Sequence, residues 1–266
     1  MTTGKHEKIT IIFNLECKLD IEELQIGEEM VGRLIPTGGL DSVQALKIII
    51  ELMIQKGMRM QFFDGRKSIL TSKFLKDAEK QKKWRHKVFA DGLSFDFGQL
   101  TSLRHSFVLI EQLDSDLSTN WNDWVAPFLK EASFVQAWIS DIEYDYWQNA
   151  KDPLEYKAVG RNHEHLPKKS NGLPPPLEQL EIDTSNNPGR WSHQIGYVEA
   201  IGSVMWLSKL FWERVGTDRL QQLLAADFIK TLDLQNDVVR LVMDDISFSE
   251  CSSADVQNKL RKTLYG

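Results

Sequence analysis

The 266 residues are 42% hydrophobic and 26% charged, an ordinary globular balance that excludes disorder over the bulk of the chain. A chain of this length buries about 70–75% of its unfolded surface, so its core needs no disulfide or metal staples. A net charge of −6 speaks against nucleic acid as the direct partner, because a DNA binder presents a net basic face.

In chain order, the opening segment MTTGKHEKIT is polar and lacks the apolar core of a secretion signal. Residues 8–15 (KITIIFNL) predict a first strand from their β-branched and aromatic content. Residues 40–55 predict a helix, capped by Asp41 or Ser42, with Val43, Leu46, Ile50 and Ile54 as its apolar stripe and Gly57 as its stop. Its apolar runs at 48–50 and 52–54 are far too short to span a bilayer. A strand over 58–63 ends at the turn pair Asp64–Gly65, and 72–89 reads as a second helix carrying Phe74, Leu75, Ala78, Trp84 and Val88.

Further along, 105–112 (HSFVLIEQ) predicts a buried strand and 120–130 a short helix with Asn120 as cap. Residues 133–146 alternate: Phe134, Gln136, Trp138 and Ser140 on one side, Val135, Ala137, Ile139 and Asp141 on the other. They are read as one strand. Residues 149–190 break the periodicity with Pro153, Pro167, Pro174–Pro176 and Pro188, which predicts a long proline-rich functional loop, a linker or a disordered segment. A strand over 195–203, helical segments over 207–225, strands over 228–232 and 238–243, and a helix over 253–264 behind Ser253 complete the chain. The interspersed pattern predicts an α+β fold: a mixed or antiparallel sheet with helices mainly on one side. It is read as a single domain, 1–266, with 149–190 as an excursion.

Two features carry the functional reading. The first is charge asymmetry. Residues 111–145 hold eight acids (Glu111, Asp114, Asp116, Asp123, Glu131, Asp141, Glu143, Asp145) against Lys130, whereas 66–87 hold nine bases against Asp77 and Glu79. On a strand, Asp141, Glu143 and Asp145 would form a carboxylate ladder beside Tyr144, Tyr146 and Trp147. Such a row is a solvated surface, a recognition surface for a basic protein, or, least simply, a catalytic group. The basic run Lys73–Lys87 with Trp84 suggests nucleic-acid binding in composition, but in helical register it is a solvated stripe.

The second feature is the run Gly196–Trp212. On a strand, Gly196, Val198, Ala200 and Gly202 would make one nearly bare face, inviting close approach of another backbone, with Tyr197, Glu199, Ile201 and Ser203 opposite. The pattern GR…GYVEAIGS.MWL…FW, comprising Gly189, Arg190, Gly196, Tyr197, Glu199, Gly202, Met205, Trp206, Phe211 and Trp212, resembles the C-terminal part of immunity protein family 52 over about residues 186–216. Those proteins are antidotes encoded beside toxins of bacterial polymorphic-toxin and type VI secretion systems. The resemblance implies a small non-enzymatic cytoplasmic protein that binds and silences one toxin, most often a nuclease of restriction-endonuclease type. It implies no catalytic residues.

No other constellation rises to a site. His163–Glu164–His165 is the one metal-like pattern, and a zinc site needs three or four ligands; a solvated loop is the simpler reading. Gly38–Gly39 lacks the Lys–Ser/Thr of a phosphate loop. His105 has no hydrolase-triad context and there is no G-x-S-x-G elbow. Cys17 and Cys251 share no motif; a reducing cytoplasm fits them, with a single bridge between the ends left open. No cofactor, metal, membrane or direct nucleic-acid partner is expected, and no pattern speaks to oligomeric state. The toxin-binding candidates are Glu111, Asp114, Asp116, Asp141, Glu143, Asp145 and Trp147. The alternative is a hydrolase-like enzyme built on Tyr197, Glu199, Trp206 and Trp212, aided by His163 or His193, with Glu199 as general acid or base; its bland counterpart is a buried Glu199 paired with Arg190 or Arg214.

Overall fold

A computed structural model describes residues 6–23, 30–64, 67–84, 87–114, 117, 119–235, 237–244, 247–249 and 253–266. Gly65, His86, Asp116, Asp245 and Cys251 lie outside the described residues.

Strand β1 (Glu7–Asn14) buries Ile9, Ile11 and Phe13 on one face and Ile12 on the other, so its β-branched run serves two cores at once. Among the described residues, strands β2 (Glu16–Glu23) and β3 (Met30–Gly38) pair with each other alone, as an antiparallel ribbon. Helix α1 (Ser42–Gln55) starts where Asp41 accepts hydrogen bonds from the Val43 and Gln44 amides. It buries Ala45, Leu46, Ile49, Ile50, Leu52 and Met53, each large side chain contributing about 1.5–3 kcal/mol relative to exposure.

After β4 (Gln61–Asp64) and β5 (Lys67–Leu70), helix α2 (Thr71–Gln81) ends at Lys82 in the left-handed conformation. The helix predicted over 72–89 is therefore too long, and its tail becomes β6 (Val88–Ala90), followed by β7 (Leu93–Leu100) and β8 (His105–Gln112). Asn120 caps α3 (Trp121–Val125) as predicted.

Strand β9 (Phe134–Asp141) is buried along its whole length, and helix α4 (Ile142–Asn149) follows without a gap. The strand predicted over 133–146 thus stops at Asp141. The excursion contains α5 (Pro153–Ala158), β10 (Lys168–Ser170) and β11 (Leu180–Ile182), around a small core of Ala150, Tyr156 and Ile182. The predicted strand 195–203 is shorter too: β12 (Ser192–Gln194) and β13 (Tyr197–Glu199) form a tight hairpin. The chain closes with β14 (Val204–Ser208), α6 (Lys209–Val215), α7 (Thr217–Leu224), β15 (Thr231–Gln235), β16 (Val238–Val242) and α8 (Ala254–Tyr265).

Ten strands form one antiparallel sheet in the order β15-β16-β14-β9-β1-β8-β7-β6-β4-β5. The fold is α+β. Its helices divide between the two faces rather than gathering mainly on one, because both parities of the central strands are apolar. Helices α1, α2 and α3 cover the face of Ile9, Ile11, Val108 and Trp206, and α6, α7 and α8 cover Ile12, Trp138, Met205 and Leu207 on the other. No helix among the described residues is long and apolar enough to cross a membrane.

Candidate functional site

Along α1, residues Ile48, Glu51, Leu52 and Gln55 share one stripe at helical spacing, and this stripe walls a cleft opposite α3. The helix stops at Lys56, and the chain turns at Gly57 to let Met53 accept from the Met58 amide. Lys56 thereby stands at the junction of two depressions of about 660 and 580 Å³. Its Nζ lies 2.8 Å from Asp123 Oδ2 and 5.8 Å from the centre of the Trp124 ring. On the far side, the Asp91–Gly92 turn joins β6 to β7, with Asp91 accepting from the Arg59 amide at 3.2 Å. The described lining carries five carboxylates (Glu51, Asp91, Asp114, Asp123, Glu131) and two lysines (Lys56, Lys130), leaving it formally three charges negative. A cleft with a net charge of one sign attracts groups of the other.

The acids singled out from the sequence divide into two groups. Asp114 lines this cleft, joined there by Asp123 and Glu131 from the same acidic stretch. Glu111 instead lies on β8 and meets Lys87 and the Ser94 hydroxyl. The ladder does not exist, because α4 begins at Ile142. Asp141 is the cap that accepts from the Tyr144 amide at 2.8 Å, Glu143 binds Arg161 and the Trp147 indole N–H, and buried Asp145 pairs with Lys8 at 2.6 Å. Trp147 packs on Tyr156 inside the excursion's small core. Asp116 lies outside the described residues. Glu51, Asp91 and Lys56 were missed: the outward stripe of α1 is legible in sequence, but nothing local brings it to residue 91.

The glycine-aromatic signature is architectural. Gly189 packs on Tyr144, where a Cβ would lie 2.7 Å from the ring, and Arg190 donates to the Asn187 carbonyl. Gly196 turns the β12–β13 hairpin at φ +83° with the Arg214 side chain against it. Gly202 is where backbone approaches backbone, since a Cβ there would lie 2.7 Å from the Ile139 carbonyl oxygen. The predicted close approach is real at Gly202, but a continuous bare strand face is absent. Met205, Phe211 and Trp212 are buried in one core with Tyr197 against them, whereas Trp206 lies across the sheet in the other. The four residues of the enzyme alternative, Tyr197, Glu199, Trp206 and Trp212, are thus not on one side of the sheet. Arg190 and Arg214 bond carbonyl and Asn14 side-chain oxygens, not Glu199. Of the excursion's histidines, His163 is buried against Tyr156 and His165 exposed, and no metal-holding group of three donors occurs among the described residues.

The hairpin lies on the sheet through three ties. Gln136, fully buried, clamps it: its Nε2 donates to the Val198 carbonyl at 2.7 Å and its Oε1 accepts from the Val198 amide at 3.2 Å. The Gly196 amide donates to the Leu103 carbonyl at 2.6 Å. The His193 ring stacks on the fully buried His105 ring, centroids 5.2 Å apart. Beside the hairpin runs an apolar groove of about 170 Å³, floored by Ile12, Phe107, Leu109 and Trp138. Trp191 and His193 stand at one rim and the Lys8–Asp145 pair at another.

No family model matches the chain, and no curated protein sequence matches it. Among solved structures, the Pseudomonas aeruginosa T6SS protein PA0821 is similar at 11% identity, over 100% of this chain and 77% of that one, with a TM-score of 0.49. That neighbour belongs by its name to a type VI secretion system; a likeness this slight assigns no role to the present chain.

Proposed function

We propose that this protein is an immunity-type antidote of a type VI secretion or polymorphic-toxin system, binding a basic nuclease-type toxin in the cytoplasm and blocking it by protein–protein contact. The observation that carries the reading is the acidic cleft, whose carboxylates come from α1, the β6–β7 turn and the segment around α3. A nuclease must hold phosphates in a positive groove, and an acidic cleft is complementary to such a surface. Resemblance of residues 186–216 to the immunity family supports the same reading. Electrostatic complementarity of this kind acts mainly on the association rate, which it raises toward 10⁸–10⁹ M⁻¹s⁻¹ at low salt, roughly a hundredfold or more above neutral encounters.

Reversing Asp141, Glu143 and Asp145 would test folding rather than binding, since these acids hold a cap and two ion pairs. The informative variant is Glu51→Lys with Asp123→Lys, both exposed on the cleft. With the nuclease-type toxin that co-purifies from native cells, association should slow about ten- to a hundredfold at low salt, the difference shrinking as salt is raised. An association rate unchanged from the parent protein would remove the interface from this cleft.

A further inference from the structure

We propose that the β12–β13 hairpin is a proton-released flap, held on the sheet at neutral pH by the stacked His105–His193 pair and freed when that pair takes up protons in mild acid. The argument starts from the Leu103 carbonyl. It accepts from the Gly196 amide, which fixes the hairpin turn, and it lies 3.2 Å from His105 Nδ1, which orients the ring. With Nδ1 donating, Nε2 is the lone-pair nitrogen. It is buried and makes no hydrogen bond among the described residues, although the Gln194 carbonyl of β12 stands close enough to draw a proton to the ring, a pull that burial and the His193 ring outweigh. A proton arriving there places a cation with no solvent access against the His193 ring, whose plane is tilted only 22° from its own.

The surrounding charges decide the direction. Arg214 of α6 stands on the Gly196 side of the hairpin, its Nη2 2.7 Å from Asn14 Oδ1. At the groove, Lys8 of β1 and Asp145 of α4 neutralise one another. Along β13 are Tyr197 and Glu199 on the hairpin itself, with Arg190, and Arg261 and Tyr265 of α8. Among the described residues no carboxylate bonds either imidazole. Burial, then His193, push the His105 ring down to about 4 against the pull of the Leu103 and Gln194 carbonyls, and Arg214 adds to the push. Burial lowers His193 as well.

A ring that titrates lower with the hairpin closed than in water favours the closed form above its free value, near 6.5. That advantage is lost progressively as pH falls from about 6.5 toward 4, because the open form takes the proton first. For His105 alone, opening should become on the order of a hundredfold more frequent between pH 7 and 4.5. Release removes Val198 from the wall of the apolar groove and so widens the groove over Ile12 and Trp138.

The test is amide exchange of Gly196 and Val198 in the full chain, followed by NMR from pH 7 to 4.5 and corrected for the intrinsic exchange rate, with the β1 amide of Ile11 as internal control. The expected result is a loss of protection of about a hundredfold at Gly196 and Val198 only, absent in His105→Phe, which keeps an aromatic ring without a titrating nitrogen. Unchanged protection in the parent protein overturns the proposal, and so does an equal loss in His105→Phe. Should that variant fail to fold, ring titration of the parent decides. A His105 midpoint well below 6.5, with the loss of protection accumulating between about 6.5 and that midpoint, supports the flap, and one near 6.5 with the hairpin still protected overturns it.

Discussion

At the scale of single residues, the most consequential side chain is Gln136. Its carboxamide reproduces the pairing of an antiparallel neighbour, giving one donor and one acceptor to Val198 at the centre of the fold. It shares a strand face with Trp138 and is fully buried. Replacing it by leucine keeps the volume roughly constant but strands the Val198 amide and leaves its carbonyl only the long 3.5 Å contact from the Tyr265 hydroxyl, a buried polar group without a partner costing about 1–3 kcal/mol. Gln136→Leu should therefore lose about 2–4 kcal/mol in urea unfolding with little change in slope. A loss below about 0.5 kcal/mol would mean that water or a shifted hairpin satisfies both groups.

At the scale of elements, the junction of β9 and α4 shows how far local pattern carries. The alternation from Phe134 to Asp141 identifies a strand, and the strand is there. Past it, Ile142, Tyr144 and Tyr146 alternate with Glu143 and Asp145 and so imitate a period of two, while the chain is already helical. The decisive signal was local and legible: an aspartate followed by two acids in the first turn is a helix start, with the negative charges stabilised by the helix dipole. Asp141→Ala should cost about 1 kcal/mol and Asp141→Asn much less, read as midpoints of thermal unfolding; equal losses in both would show that the negative charge, not the cap, holds this junction. The cap of α1, the strand β8 and the glycine approach at residue 202 were legible for the same reason, since each rests on neighbours in sequence. The acidic cleft was not, because Glu51, Asp91 and Asp123 meet only through sheet order and helix placement.

At the scale of the whole molecule, the sheet is built outward from β1, which lies between β8 and β9 with Lys8 opposite Glu111 and Glu7 opposite Asp141. Pairing this distant in sequence makes loop closure precede reward, so refolding should fall in the slow range of about milliseconds to seconds, with populated intermediates at this length. Stopped-flow fluorescence of the eight tryptophans should resolve more than one phase; a single submillisecond phase would contradict the inference. The same placement has a consequence during synthesis. The central strand is translated before both of its partners, which follow about a hundred residues or more later. At about 5–20 residues per second it waits on the order of ten seconds with both backbone edges bare. The nascent chain with β1 made and β8 and β9 still to come is thus the sticky stage of this protein's life, more so than its finished surface.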